Sequence, residues 1–98
     1  MKSQKTIEDL VAHVYKVYKE PVLWWSKAHY EKRCIQIHAA EVVLQRCYDN
    51  PLADPEDVID GYLMEVWYML REEKENANII KMLRIIDDTL ESLLRYLH

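Results

Sequence analysis

The sequence predicts an all-α fold, four helices in an antiparallel bundle forming a single domain over residues 1–98, and three observations carry that expectation. One Gly and three Pro in 98 residues leave the chain few places to turn. Half of the residues are apolar, enough for a core, and no stretch is low in complexity. Between the prolines the apolar residues recur at helical rather than alternating spacing. The predicted helices are about 7–20, 26–49, 55–74 and 77–97.

The first helix has Thr6 as its N-cap, with Glu8 and Asp9 in the opening turn where the helix dipole favours negative charge. Ile7, Val11, Val14 and Tyr18 form its apolar stripe, flanked by Leu10 and Val17. Lys16 and Lys19 suit its C-terminal end, and Pro21 stops it. Val22, Leu23, Trp24 and Trp25 follow without helical alternation. Such a run either plugs one end of the bundle or forms an exposed docking patch, since Trp is enriched among interface hot spots.

The second helix, 26–49, is the rod around which the rest must pack. Ser26 caps it, no Gly or Pro interrupts it, and at 1.5 Å per residue it is about 36 Å long. Tyr30, Ile37, Ala40, Leu44, Cys47 and Tyr48 fall on one broad face. Ile35, Ala39 and Val42 fall on the other side, among Glu31, His38, Gln45 and Arg46. With apolar residues on two sides, the rod must be covered twice, by its own chain or by a second one. Cys34 and Cys47 lie roughly 20 Å apart along this helix and cannot bond to each other, so reduced, buried thiols are expected.

Residues 49–55 are the clearest punctuation. Asn50 precedes Pro51, and Asp54-Pro55-Glu56-Asp57 reads as N-cap, Pro at the first helical position, then acids. The third helix is expected to bury Ile59, Tyr62, Leu63, Val66, Met69 and Leu70, with Met64 and Tyr68 pointing away and Trp67 at the margin. Gly61 inside it costs about 1 kcal/mol relative to Ala. The charged run 71–76 suits an exposed helix end, so either a break near 75–78 lets Asn76 or Asn78 cap the next helix, or the third helix runs straight into the fourth. In the fourth helix Ile79, Leu83, Ile86, Leu90, Leu93 and Leu97 keep a heptad rhythm, widened by Met82 and Leu94. Ile85 and Tyr96 make a smaller apolar spot on its opposite side.

No apolar run is long enough to span a membrane and no signal segment opens the chain, so the cytoplasm is the default compartment. The net charge of −4 is uneven: residues 1–48 hold eight Lys/Arg against five Asp/Glu, and residues 49–98 hold five against twelve. Basic and acidic faces that complement each other within one bundle or between subunits account for this split. An acidic surface repels phosphate backbones, which argues against direct nucleic-acid binding.

One stripe resembles a chemical site. Cys34, His38 and Glu41 lie within about 60° of one another on the second helix and are all zinc-ligand types. No second His/Cys pair completes a set, however, and His38-x-x-Glu41 reverses the order used in helical di-iron sites and occurs once. Cys34 with His38 as nucleophile and base lacks any Gly-rich oxyanion pocket. The pairs Glu56/Asp57, Glu72/Glu73 and Asp87/Asp88 read as solvated faces. No cofactor is implied.

At Asp54-Pro55-Glu56-Asp57-Val58-Ile59, with Tyr62 and Met64 after it, and at Ile86-Asp87-Asp88-Thr89-Leu90, the chain resembles small all-helical proteins of Firmicute prophages and conjugative elements. The resemblance covers residues 30–97 and brings no activity with it. Taken together, the sequence reads as a non-enzymatic protein-interaction or regulatory module. Trp24, Trp25, Ile35, Val42, Met64 and Tyr68 are its candidate contact residues. A homodimer is expected, burying some of Ile35, Val42, Met64, Tyr68, Ile85 and Tyr96. The alternatives are an acidic inhibitor that presents Asp57, Asp60, Glu65, Glu72 and Glu73 as one band, and a helical metal-binding protein built on the Cys34 stripe.

Overall fold

Four side chains set where the helices begin. In the computed structural model, which describes residues 5–19 and 26–98, each predicted N-cap is in place. For α1 (Ile7–Tyr18), the Asp9 amide donates to Thr6 Oγ1 at 3.2 Å and the Thr6 amide donates to Asp9 Oδ2 at 2.9 Å. This reciprocal pair is a capping box with Asp in the third position. Ser26 accepts from the His29 amide at the start of α2 (Lys27–Asp49). Asp54 accepts from the Glu56 amide ahead of α3 (Pro55–Glu72), which has Pro55 at its first position. Asn76 Oδ1 accepts from the amides of Asn78 and Ile79 and opens α4 (Ala77–Leu97). The break between α3 and α4 is closed by Glu73, whose Oε1 accepts from the Glu75 and Asn76 amides. α1 ends at Tyr18, and the plug-or-patch residues Trp24 and Trp25 lie outside the described residues.

The described residues form an all-α four-helix bundle in which α2 packs against each of the other three helices and α3 packs against α4. Two contacts eleven residues apart along each segment make α3 and α4 antiparallel. The Trp67 indole N–H donates to Asp87 Oδ1 at 2.9 Å, and His98 Nε2 lies 3.2 Å from Glu56 Oε1. α2 and α4 run the same way, so that Ala28 to Ile35 face Asn78 to Ile85 across a groove at the N-terminal halves of both.

The buried stripe of α2 is Ala39, Ala40, Val43, Leu44 and Cys47. This differs from the predicted face, which did not include Val43. Ala39 is fully buried rather than turned away, and Tyr30 and Tyr48 are exposed near the two ends of the helix. Ala39 and Ala40, at the centre of α2, are both fully buried where the other helices pack. Ile35, Ile37 and Val42 pack partly buried against the same core. The three neighbours of α2 cover Ala39, Ala40 and Val43 fully and Ile35, Ile37 and Val42 in part.

The other helices contribute Leu10, Val14 and Tyr18, then Ile59, Tyr62, Leu63 and Val66, then Leu83, Ile86, Leu90, Leu93 and Leu97. Four residues expected in the core or at its edge, Val17, Met69, Ile79 and Met82, are instead exposed. Thr89 is buried in the heptad seam, with its hydroxyl donating to the Ile85 carbonyl at 2.8 Å. Both cysteines are free; Cys47 is buried as expected, whereas Cys34 is exposed. Burial pushes the Cys47 thiol pKa up, helped by the negative charge of Asp54.

Candidate protein-interaction surface

Among the described residues, the outer face of α3 carries the largest group of apolar side chains left uncovered. Ile59, Tyr62, Leu63 and Val66 turn inward, and the same helical period turns Met64, Tyr68 and Trp67 outward. Met64 is 64% exposed, Tyr68 59%, Trp67 49% and Met69 42%. Single exposed apolar residues are ordinary, but four on two adjacent turns of one helix make a contiguous patch.

The patch is held in shape by its surroundings. The hydrogen bond to Asp87 fixes the Trp67 indole against α4. The Arg71 guanidinium lies over the Tyr68 ring, 5.4 Å from its centroid. One open depression of about 320 Å³ is lined by Met64, Trp67, Tyr68 and Arg71. A second, of about 450 Å³, is lined by Met64, Glu65, Tyr68 and Met69. Gly61 sits one turn upstream and is exposed, and a Cβ there would meet nothing within 4 Å.

Charge frames this face. Asp57 and Asp60 are exposed at its N-terminal end, and Arg71 and Glu72 at its C-terminal end. Arg71 Nε is 3.8 Å from Glu72 Oε1. On the flank, the Arg46 guanidinium grips Glu65 with two nitrogens, Nη2 donating to Oε1 at 3.1 Å and Nη1 donating to Oε2. This hydrogen bonding lowers the Glu65 pKa below the usual carboxylate value. Of the five acids expected to form one band, Glu65 is therefore held by Arg46 and Glu73 by its own loop. Asp57, Asp60 and Glu72 remain beside the apolar patch.

The remaining sequence candidates fall elsewhere. Ile35 lines the groove between α2 and α4, together with Met82 and Ile85, in a space of about 600 Å³ edged by Glu31, Lys32 and Lys81. Val42 packs partly buried against the core. Tyr96, expected on a spare face of α4, is taken up by α1. It stacks on His13, and its hydroxyl donates to the Asp9 carbonyl at 3.2 Å.

The Cys34, His38 and Glu41 stripe is exposed along its length, and Glu41 is drawn to Lys19 Nζ at 2.8 Å. Seven residues of helix separate Cys34 from Glu41 by about 10 Å along the axis, so one ion cannot be reached by both without a second segment. Among the described residues, the only three or more His, Cys, Asp or Glu side chains whose ligand atoms lie within 4.8 Å of one another are Asp87, Asp88 and Glu91. Asp87 there already accepts from Trp67. The pair Asp87/Asp88, read from the sequence as a solvated face, thus gathers with Glu91 on α4.

Sequence reasoning did not single out Met69, Gly61 or Arg71 as parts of this face. Met69 matched the core stripe by period alone, and Gly61 registered as a helix-propensity cost that a close helix–helix approach could explain. No family model matches the chain, and no curated protein or solved structure matches it either.

Proposed function

We propose that this protein is a non-enzymatic interaction module, an adaptor or regulator, whose contact surface is the outer face of α3. The observation that carries this reading is the exposed group Met64, Trp67, Tyr68 and Met69, framed by charge and fixed in shape by Asp87 and Arg71. Aromatic and Met side chains with an Arg beside them are the types enriched where proteins dock. The resemblance to prophage and conjugative-element proteins supports a regulator carried by a mobile element and working in the cytoplasm. No described helix is long and apolar enough to cross a membrane, which is consistent with that setting.

An acidic inhibitor of a nucleic-acid-binding partner has less support, because Arg46 and the 73–76 loop occupy two of its five carboxylates. A metal-binding role on Cys34, His38 and Glu41 has less again, since among the described residues no second element brings ligands to that stripe.

The test compares wild-type protein with a Met64→Glu/Tyr68→Glu variant, first confirmed to be folded by circular dichroism. Association is followed by sedimentation of the protein alone and by capture from extract of the native host, and any captured protein is then purified and titrated. The reading expects at least one association, with itself or with another protein, to weaken by about a hundredfold, as loss of central interface residues does. It is overturned if every association measured is the same for both proteins.

A further inference from the structure

We infer that the occupant of the α3 face is a second copy of this chain, lying antiparallel to the first with its two-fold axis beside Met64. This rests on the interaction reading above and names its partner. The residues of the face are arranged so that an antiparallel copy completes them. A two-fold centred at Met64 sets Met64 against itself and places residues seven before it opposite residues seven after it.

Asp57 then meets Arg71 of the second copy, and this happens twice in a symmetric contact. Gly61, exposed and with open space where its Cβ would be, falls across from the Trp67–Tyr68 turn of the second copy and leaves room for those rings. The two depressions flanking Met64 and Tyr68 serve as holes for the same side chains of the other copy. A parallel arrangement would instead set Asp57 against Asp57 and Arg71 against Arg71. Arg71 has five N–H donors, and among the described residues its one carboxylate neighbour is 3.8 Å away, so donors remain for Asp57. The self-pairing of this charge pattern is what favours a second copy over an unrelated basic helix.

The experiment is sedimentation equilibrium on the purified full chain under reducing conditions, for wild type, Asp57→Arg, Arg71→Asp, and an equimolar mixture of the two variants. Wild type is expected to show twice the chain mass. Each single reversal sets like charges together at both ends and weakens association by about tenfold or more. The mixture should recover it. Between unlike partners the two substituted side chains face each other at one end, with opposite charges, and the native Asp57 and Arg71 meet at the other.

A second readout fixes the register. In a Cys34→Ser background, Met64→Cys should oxidise to a disulfide-linked dimer, while Asp57→Cys should not, its copies being about 21 Å apart along the axis. A single-chain mass for wild type up to several hundred micromolar overturns the assignment. So does a dimer indifferent to both reversals, or a mixture no tighter than its components. If the wild type sediments as a monomer while a host protein still needs Met64 and Tyr68, the second copy is wrong and the interaction reading stands.

Discussion

The His13 imidazole lies flat on the Tyr96 ring, with centroids 3.8 Å apart and planes 14° from parallel. Lys5 Nζ sits 4.7 Å from the centroid of the same ring, and the Tyr96 hydroxyl reaches the Asp9 carbonyl. One aromatic residue near the end of α4 thus ties down the first helix. Tyr96→Phe, which removes only the hydroxyl, should cost about 0.5–1 kcal/mol in urea unfolding. Tyr96→Ala, which removes the stack as well, should cost about 2 kcal/mol. Equal effects of the two would mean that the ring itself contributes nothing.

Burial under Tyr96 lowers the His13 pKa from 6.5, and the positive charges of Lys16 and Lys5 push it the same way. The unfolded chain therefore takes up the proton first, and stability is lost as pH falls through the unfolded value toward the lower folded one. A urea midpoint measured between about pH 7.5 and pH 5.5 should fall for wild type. The His13→Gln variant should be flatter over the same window, and an identical slope would exclude His13 as the source.

Glu65 and Arg46 form a largely exposed pair, so its contribution is small despite two hydrogen bonds. Glu65→Gln should destabilise by about 0.5 kcal/mol at neutral pH. Because the folded-state pKa of Glu65 lies below 4.5, the benefit of the charge is present above that value and fades as pH falls through the lowered one. Wild type and variant should converge in acid, which thermal unfolding at several pH values will check.

Gly61→Ala should stabilise the isolated chain by up to about 1 kcal/mol, since the added methyl meets nothing and Ala is the better helix former. Thermal unfolding at low protein concentration measures this. A decrease would show that the backbone at this position needs the freedom of glycine.

Leu90→Ala and Thr89→Val probe neighbouring buried positions of α4 with opposite expectations. Leu90 is fully buried in the seam, and its truncation should cost about 3 kcal/mol. Thr89→Val keeps the shape and removes a hydroxyl bonded only to a carbonyl within its own helix, so the change should stay within about 0.5 kcal/mol. Guanidinium unfolding of both variants distinguishes a seam held by packing from one held by the hydroxyl.

Local signals in the chain were legible in advance. Thr6, Ser26, Asp54 and Asn76 each satisfy amides of the first helical turn with their own side chains, so they mark helix starts whatever packs outside. The heptad of α4 was readable for the same reason, since Leu83 to Leu97 repeat often enough for one direction to dominate. Met69 and Ile79 were misplaced because period assigns a direction but not how much of that direction a neighbour covers. Met64 and Tyr68 were placed outward correctly, whereas the parts Asp57, Gly61 and Arg71 play around them needed three dimensions.

By itself, then, the sequence determined the helices, their boundaries and most of the residues that turn inward, because capping and periodicity act over one or two turns. Only the tertiary structure decided what each apolar surplus meets. It buried Ala39 and Ala40 of α2 among the other three helices, gave Tyr96 to His13, and left the outer face of α3 bare. Those outcomes depend on which helices lie side by side, and that is not encoded in the spacing along one strand of chain.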